Sequence, residues 1–225
     1  MSDVAVVILT APPESTEPAG AMVKVDGRES VLRCMELFTN REGVVQTMVV
    51  IDKSQAEDVK RKIGSHLMFM GIKLVSSGAT WSEQLADAQK ALKPEARHVL
   101  VHDGARPAVS YIDLDSLFDI AGKHPAVSLA TPIKGTLVNA SVVPGAGKPA
   151  DVKVAKLLSP MIFTREGFDA LVSSKKLPDP IHLIEGSGLN VRCGTADAVV
   201  VKAMIGLLPK PKIKAASSPF EEAQW

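Results

Sequence analysis

The chain has 225 residues, enough for one large domain or two small ones, with 46% hydrophobic and 23% charged residues, the balance of a globular protein. Lys and Arg number 26 against 25 Asp and Glu, and aromatic residues make up 4%, which argues against nucleic-acid binding by bulk positive charge or base stacking. Cys34 and Cys193 lie far apart without metal-ligand spacing and are expected as buried, reduced thiols, while short apolar runs and the lack of a basic N-terminal region point away from membranes and secretion, to the cytoplasm.

Val4 to Leu9 is a continuous, β-branched apolar run, the pattern of a strand buried on both faces of a parallel sheet. Similar runs follow at Val45 to Ile51, Ile72 to Val75 and His98 to His102. Between them the apolar spacing is helical. Ser30 to Phe38 carries Val31, Leu32, Met35 and Leu37; Ser54 to Ile63 is amphipathic with Ser54 as its expected N-cap; Ser82 to Leu92 places Leu85, Ala88 and Leu92 on one face. This alternation predicts right-handed crossovers and a doubly wound, mostly parallel α/β sheet. Asp113 to Ala121 reads as a further helix and Ala126 to Leu129 as a further strand. After Pro132 the rhythm breaks. Two alternating stretches flank a Pro/Gly turn at 144–149, predicting a projecting β-hairpin arm over 137–158. Helices are expected at Thr164 to Ser173 and Thr195 to Leu207, with a short strand at Asn190 to Arg192 between them. Residues 1–208 then make one α/β domain, and the charged, proline-broken 209–225 a flexible tail.

The sharpest local feature is His102-Asp103-Gly104-Ala105-Arg106-Pro107, at the carboxyl end of the fourth strand. Open α/β sheets bind ligands in the crevice outside those strand ends, at the topological switch point. An Asp there suits a hard divalent cation, and an Arg three residues on can clamp a phosphate. The same pattern also fits an Asp-Gly turn closed by a structural Asp–Arg pair. His102 is a candidate supporting group behind Asp103. No dinucleotide or P-loop glycine motif occurs, and Gly186-Ser187-Gly188 lacks the context of a nucleophile elbow.

This hexapeptide resembles the Val-His-Asp-Ala-Ala-Arg-Pro motif of the 2-C-methyl-D-erythritol 4-phosphate cytidylyltransferases, with Gly104 in place of the first Ala. Ala-Thr-Pro-Ile-Lys-Gly-Thr at 130–136, Leu158-Ser159-Pro160 and Thr195-Ala196-Asp197 follow in matching order. The resemblance implies a nucleotidyltransferase, Rossmann-like fold and a homodimer made through the 137–158 arm. It implies a reaction of isoprenoid precursor synthesis in which CTP and a phosphorylated sugar alcohol combine with release of pyrophosphate, assisted by Mg²⁺ or another divalent cation. It further implies Asp103 and Asp197 as catalytic, metal-holding carboxylates. Arg106 and Thr136, and more loosely Lys153, fall on the catalytic, substrate side, and Ala11, Gly78, Gln84, Asp103 and Gly104 around the nucleotide.

The chain also departs from the family pattern. Where the family has Gly-x-Gly-x-Arg-Met and then Pro-Lys-Gln around the triphosphate, Thr10 to Met22 has no glycine before Gly20. Pro12, Pro13 and Pro18 remove N–H donors, Glu14 and Glu17 add negative charge, and the expected Lys aligns with Ala21, with Lys24 three residues on. Trp81 stands at an expected Arg. Gln84 stands at an expected Ser, either bonding a base or lying exposed on a helix. Val200 replaces a Lys, with Lys202 two residues late. One cation is worth about 10³–10⁵ in the rate of phosphoryl transfer. The losses therefore predict weak or lost turnover unless charge arrives from elsewhere. A non-catalytic relative serving as a binding or assembly module, and a transferase with an altered nucleotide or acceptor, stay open as alternatives.

Overall fold

The computed structural model describes residues 3–39, 41–133 and 154–209, and the backbone of 138–140 and 147–149. Thr136, Lys153, much of the arm and the tail from 210 lie outside the described residues. In chain order the elements are β1 (Val4–Leu9), β2 (Lys24–Val25), β3 (Arg28–Glu29), α1 (Ser30–Glu36), β4 (Val44–Asp52), α2 (Ala56–Phe69), β5 (Lys73–Ser77), α3 (Trp81–Ala91), β6 (His98–Asp103), α4 (Tyr111–Ile120), β7 (Ala126–Pro132), β8 (Val138–Ala140), β9 (Gly147–Pro149), β10 (Ala155–Thr164), α5 (Arg165–Ser174), β11 (His182–Glu185) and α6 (Ala198–Leu207).

Seven strands form one sheet in the order β11-β7-β10-β6-β1-β4-β5. All its pairings are parallel except those of β10, which runs antiparallel to both β6 and β7. Every residue of β1 is buried because helices cover both faces of the sheet. Val4, Val6 and Ile8 enter one core cluster with residues of α1, α2 and α4. Val7 and Leu9 point the other way, into a cluster with Leu85 and Ala88 of α3 and Phe168 and Leu171 of α5. This is the doubly wound arrangement that the apolar runs predict.

Several boundaries differ from the sequence expectation. The Asp52 carboxylate, rather than Ser54, accepts the N–H that opens the turn before α2, bonding Ser54 N at 2.8 Å. Then α2 runs on to Phe69, past the last buried apolar positions, Ile63 and Leu67. The hairpin is present as β8 paired antiparallel with β9, so Gly147 to Pro149 is strand rather than turn. From Ala155 the chain already belongs to the main sheet, as the ten-residue β10. Asn190 to Arg192 is no strand. Asn190 N–H bonds the Ser187 carbonyl, Val191 N–H that of Leu189, and Cys193 N–H that of Ala105. The strand in this stretch is β11, on the sheet edge beside β7.

The register sets the site. Leu9 pairs with both Asp103 and Val50, and Asp52 pairs with Ser77. Thr10, Asp52, Gly78 and Asp103 therefore emerge along one edge of the sheet. The loops after β1 and β6 diverge there, because the chain's path across the sheet reverses between those two strands.

Candidate active site

The hexapeptide after β6 folds into a tight turn fastened from three sides. Gly104 N–H bonds the Leu9 carbonyl at 2.8 Å. Ser30, at the start of α1, donates its hydroxyl to the Gly104 carbonyl at 2.8 Å. Cys34 is buried one turn later, its sulfur 3.4 Å from the same carbonyl, and both cysteines are buried and free. Burial and the nearby Asp103 push the Cys34 thiol well up from its ordinary value, so it packs as an inert thiol.

Asp103 is 1% exposed, and both its carboxylate oxygens are engaged. Oδ1 accepts the Ala105 N–H at 2.9 Å. Oδ2 accepts from Arg192 Nε at 2.8 Å and lies 3.5 Å from Arg106 Nε. Arg106 donates Nη1 to the Asn190 carbonyl at 2.9 Å. Burial pushes the Asp103 carboxyl up from its usual range, against the downward pull of Arg192, the Ala105 N–H and Arg106. Behind it, Ser159 Oγ accepts the Asp103 N–H at 2.8 Å and lies 3.0 Å from His102 Nδ1. His102 Nε2 lies 3.1 Å from the Arg106 carbonyl. A carbonyl only accepts, so Nε2 carries the proton, and Nδ1 accepts the Ser159 hydroxyl proton. This neutral ring is held by burial and by the charge of Arg106, which lower its pKa to about 3. His102 thus supports the turn as a neutral bridge.

A second group assembles around the loop after β1. Gln84 of α3, read from the sequence as base-binding or exposed, is 1% exposed and spends its amide on that loop. Its Oε1 accepts the Thr10 and Ala11 N–H groups, each at 3.0 Å, and its Nε2 donates to Thr10 Oγ1 at 3.3 Å and to the Gly78 carbonyl at 3.5 Å. These bonds bring Ala11, Gly78 and Gln84 together. Thr10, Ala11, Ala19, Ala21, Asp52 and Gln84 are among the residues lining a cavity of about 440 Å³. Gly20 sits against the 190–196 turn, where a Cβ would lie 2.0 Å from the Cys193 carbonyl oxygen. The glycine serves close packing of one loop on another.

A smaller pocket of about 170 Å³ is lined by Glu17, Arg106, Lys156, Asn190, Arg192 and Thr195, among others. The lysines nearest the missing family cations, Lys24 on the short β2 and Lys202 on α6, are engaged elsewhere. Lys24 lies 3.9 Å from Glu29, and Lys202 donates to Asp26 at 2.7 Å. Trp81 opens α3 and packs against its core cluster.

Asp197 is the exposed N-cap residue of α6 and makes no side-chain cap bond. Among the described residues no three His, Cys, Asp or Glu side chains gather as metal ligands, and both Asp103 oxygens face hydrogen-bond donors. The side chains present therefore do not fit a protein-built Mg²⁺ cage.

Arg192 and its partner Glu17, 3.5 Å away, were not legible as a cationic site in the sequence. The available signal was Asn190 and Arg192 two residues apart around Val191, polar groups that both turn out buried.

The sequence pattern of one family, 2-C-methyl-D-erythritol 4-phosphate cytidylyltransferase, matches residues 15–203. The chain belongs to that cytidylyltransferase family. The cytidylyltransferase of Bacillus velezensis is 29% identical over 118 residues, 52% of this chain and 50% of that protein. That of Streptomyces coelicolor is 27% identical over 154 residues, 66% of this chain and 57% of that protein. The chain spans about half the length of the first curated relatives it matches. Among solved structures, the 4-diphosphocytidyl-2C-methyl-D-erythritol synthase of Anaerococcus prevotii shares the fold with a TM-score of 0.70 at 18% identity, covering 91% of this chain and 96% of that one. The Thermus thermophilus 2-C-methyl-D-erythritol 4-phosphate cytidylyltransferase does so with 0.66 at 20% identity, covering 89% and 98%. Within the cytidylyltransferase family, this chain carries Glu17 on its first loop, 3.5 Å from a buried Arg192.

Proposed function

We propose that this chain transfers CMP from CTP to 2-C-methyl-D-erythritol 4-phosphate, releasing pyrophosphate. The observation that carries the reading is the pair of buried guanidinium groups, Arg106 and Arg192, flanking Asp103 at the switch-point edge of the sheet. They supply fixed positive charge in a water-poor setting, where charge developing on transferring phosphates is best stabilised. The nucleotide takes the larger cavity, beside Ala11, Gly78 and Gln84; Gln84 holds the loop in shape and Gly104 lets the turn approach. The acceptor phosphate takes the smaller pocket, facing Arg106 and Lys156. An acceptor phosphate oxygen attacks the α-phosphorus of CTP, the bond to the β-phosphate oxygen breaks, and pyrophosphate leaves. Asp103 orients the two guanidinium groups. A divalent cation, in this reading, would arrive with the nucleotide phosphates and would offset their charge. The same reading places the protein in the cytoplasm as a homodimer through the 137–158 arm; among the described residues no helix is long and apolar enough to cross a membrane.

The test is pyrophosphate release with each of the four ribonucleoside triphosphates, with and without the acceptor, and Asp103→Ala as control. Release that requires both CTP and the acceptor, and falls at least about 100-fold in the variant, is expected. Release with another nucleotide only, or none above the control, overturns the proposal.

A further inference from the structure

Glu17 reaches the smaller pocket from the loop after β1, yet its carboxylate is poorly held. Its Oε2 is buried without a hydrogen-bond partner and lies 3.5 Å from Arg192 Nε. Arg192 is equally incomplete. Its side chain is 1% exposed; Nε donates to Asp103, and Nη1 to the carbonyls of Pro18 and Cys193. Nη2 is buried with no acceptor. A guanidinium has five N–H donors, and leaving some unpaired inside a protein is costly. Asn190, which also lines this pocket, has its Oδ1 buried without a partner.

We propose that Glu17 is an internal stand-in for a phosphate on Arg192, and that a phosphate-bearing ligand binds by displacing the Glu17 carboxylate and taking the free Nη2 donors. Charge favours the exchange. With Glu17 in place, two carboxylates, Asp103 and Glu17, balance two guanidinium groups, Arg106 and Arg192. With Glu17 withdrawn, one positive charge is uncovered beside Lys156, and a phosphate neutralises it while accepting from the unpaired Nη2 donors. The movement required is small. The Glu17 side chain is already 27% exposed, while the loop base is pinned by Gly20 against the Cys193 carbonyl. Rotation of one side chain into water suffices.

Phosphate as the displacing anion rests on the cytidylyl-transfer reading; the weak hold of Glu17 on Arg192 does not. The experiment is calorimetric titration of the full chain with pyrophosphate, comparing wild type, Glu17→Gln and Glu17→Ala. Glu14→Gln removes the same charge from the same loop and serves as the control. Removing a like charge a few ångströms from the anion site tightens pyrophosphate binding by about tenfold in both Glu17 variants, and by less than about twofold in Glu14→Gln. Glu17 variants within twofold of wild type, a Glu14→Gln effect as large as theirs, or no pyrophosphate binding by any variant would each overturn the displacement. CTP turnover is scored separately. Unchanged pyrophosphate affinity in an enzyme that turns over overturns the displacement and keeps the transfer reading. Tightened affinity without turnover does the reverse.

Discussion

Replacing Arg192 by Met tests whether the buried Asp103–Arg192 pair organises the site. The substitution removes the 2.8 Å bond to Asp103 Oδ2 and the bonds to the Pro18 and Cys193 carbonyls, in a place where both side chains are 1% exposed. Deleting one partner of a buried ion pair costs about 3–5 kcal/mol, because the other charge stays buried. Arg106 remains 3.5 Å from Asp103 Oδ2 and Ala105 still donates to Oδ1, so the lower end, about 3 kcal/mol, is expected. That is a large part of a typical net stability of about 5–15 kcal/mol. Urea unfolding should show a lower midpoint with an unchanged slope. The double variant Asp103→Asn, Arg192→Met, which leaves no orphaned carboxylate, should recover more than about 1 kcal/mol relative to additivity. A single-variant cost below about 1 kcal/mol, or strict additivity, would refute the claim that the pair is coupled.

Other expectations follow from the same contacts. Gln84→Ala leaves the buried Ala11 N–H without its acceptor and should cost about 1–3 kcal/mol in urea unfolding; a neutral result would mean that Gln84 does not hold the first loop. His102, neutral when folded with a pKa of about 3, is protonated in the unfolded chain below about pH 6.5. Stability therefore falls as pH drops below about 6.5, by about 2 kcal/mol at pH 5 from this residue alone, and His102→Asn should remove that part of the slope. Equal slopes for wild type and variant between pH 7 and 5 would contradict the buried neutral ring.

The parts of the fold that can be read from sequence are those whose environment is uniform along the segment. β1 shows as an unbroken apolar run because both faces are covered, and the His102 to Pro107 turn shows because its residue types are distinctive. β10 does not, because Ser159 and Pro160 interrupt its apolar pattern at a register shift between Leu158 and Met161. β11 is only four residues long, on an edge. The site divides in the same way. Asp103 and Arg106 are legible as a local pair, whereas Arg192 acts on Asp103 across 89 residues of chain. Its charge is tolerable only because the fold supplies that carboxylate, and a partner so distant in the chain leaves no mark beside Arg192 beyond its spacing from Asn190. Glu17 divides likewise: its charge opposing phosphate is legible in isolation, whereas the cation that it faces is not.

The transfer chemistry itself is tested most directly by identifying the product. Wild-type protein incubated with CTP, 2-C-methyl-D-erythritol 4-phosphate and Mg²⁺ would be followed by phosphorus NMR. The account predicts a new diphosphate diester and free pyrophosphate appearing in equal amounts, and neither with Arg106→Ala. Pyrophosphate without the diester, or no change in the nucleotide resonances, would contradict it.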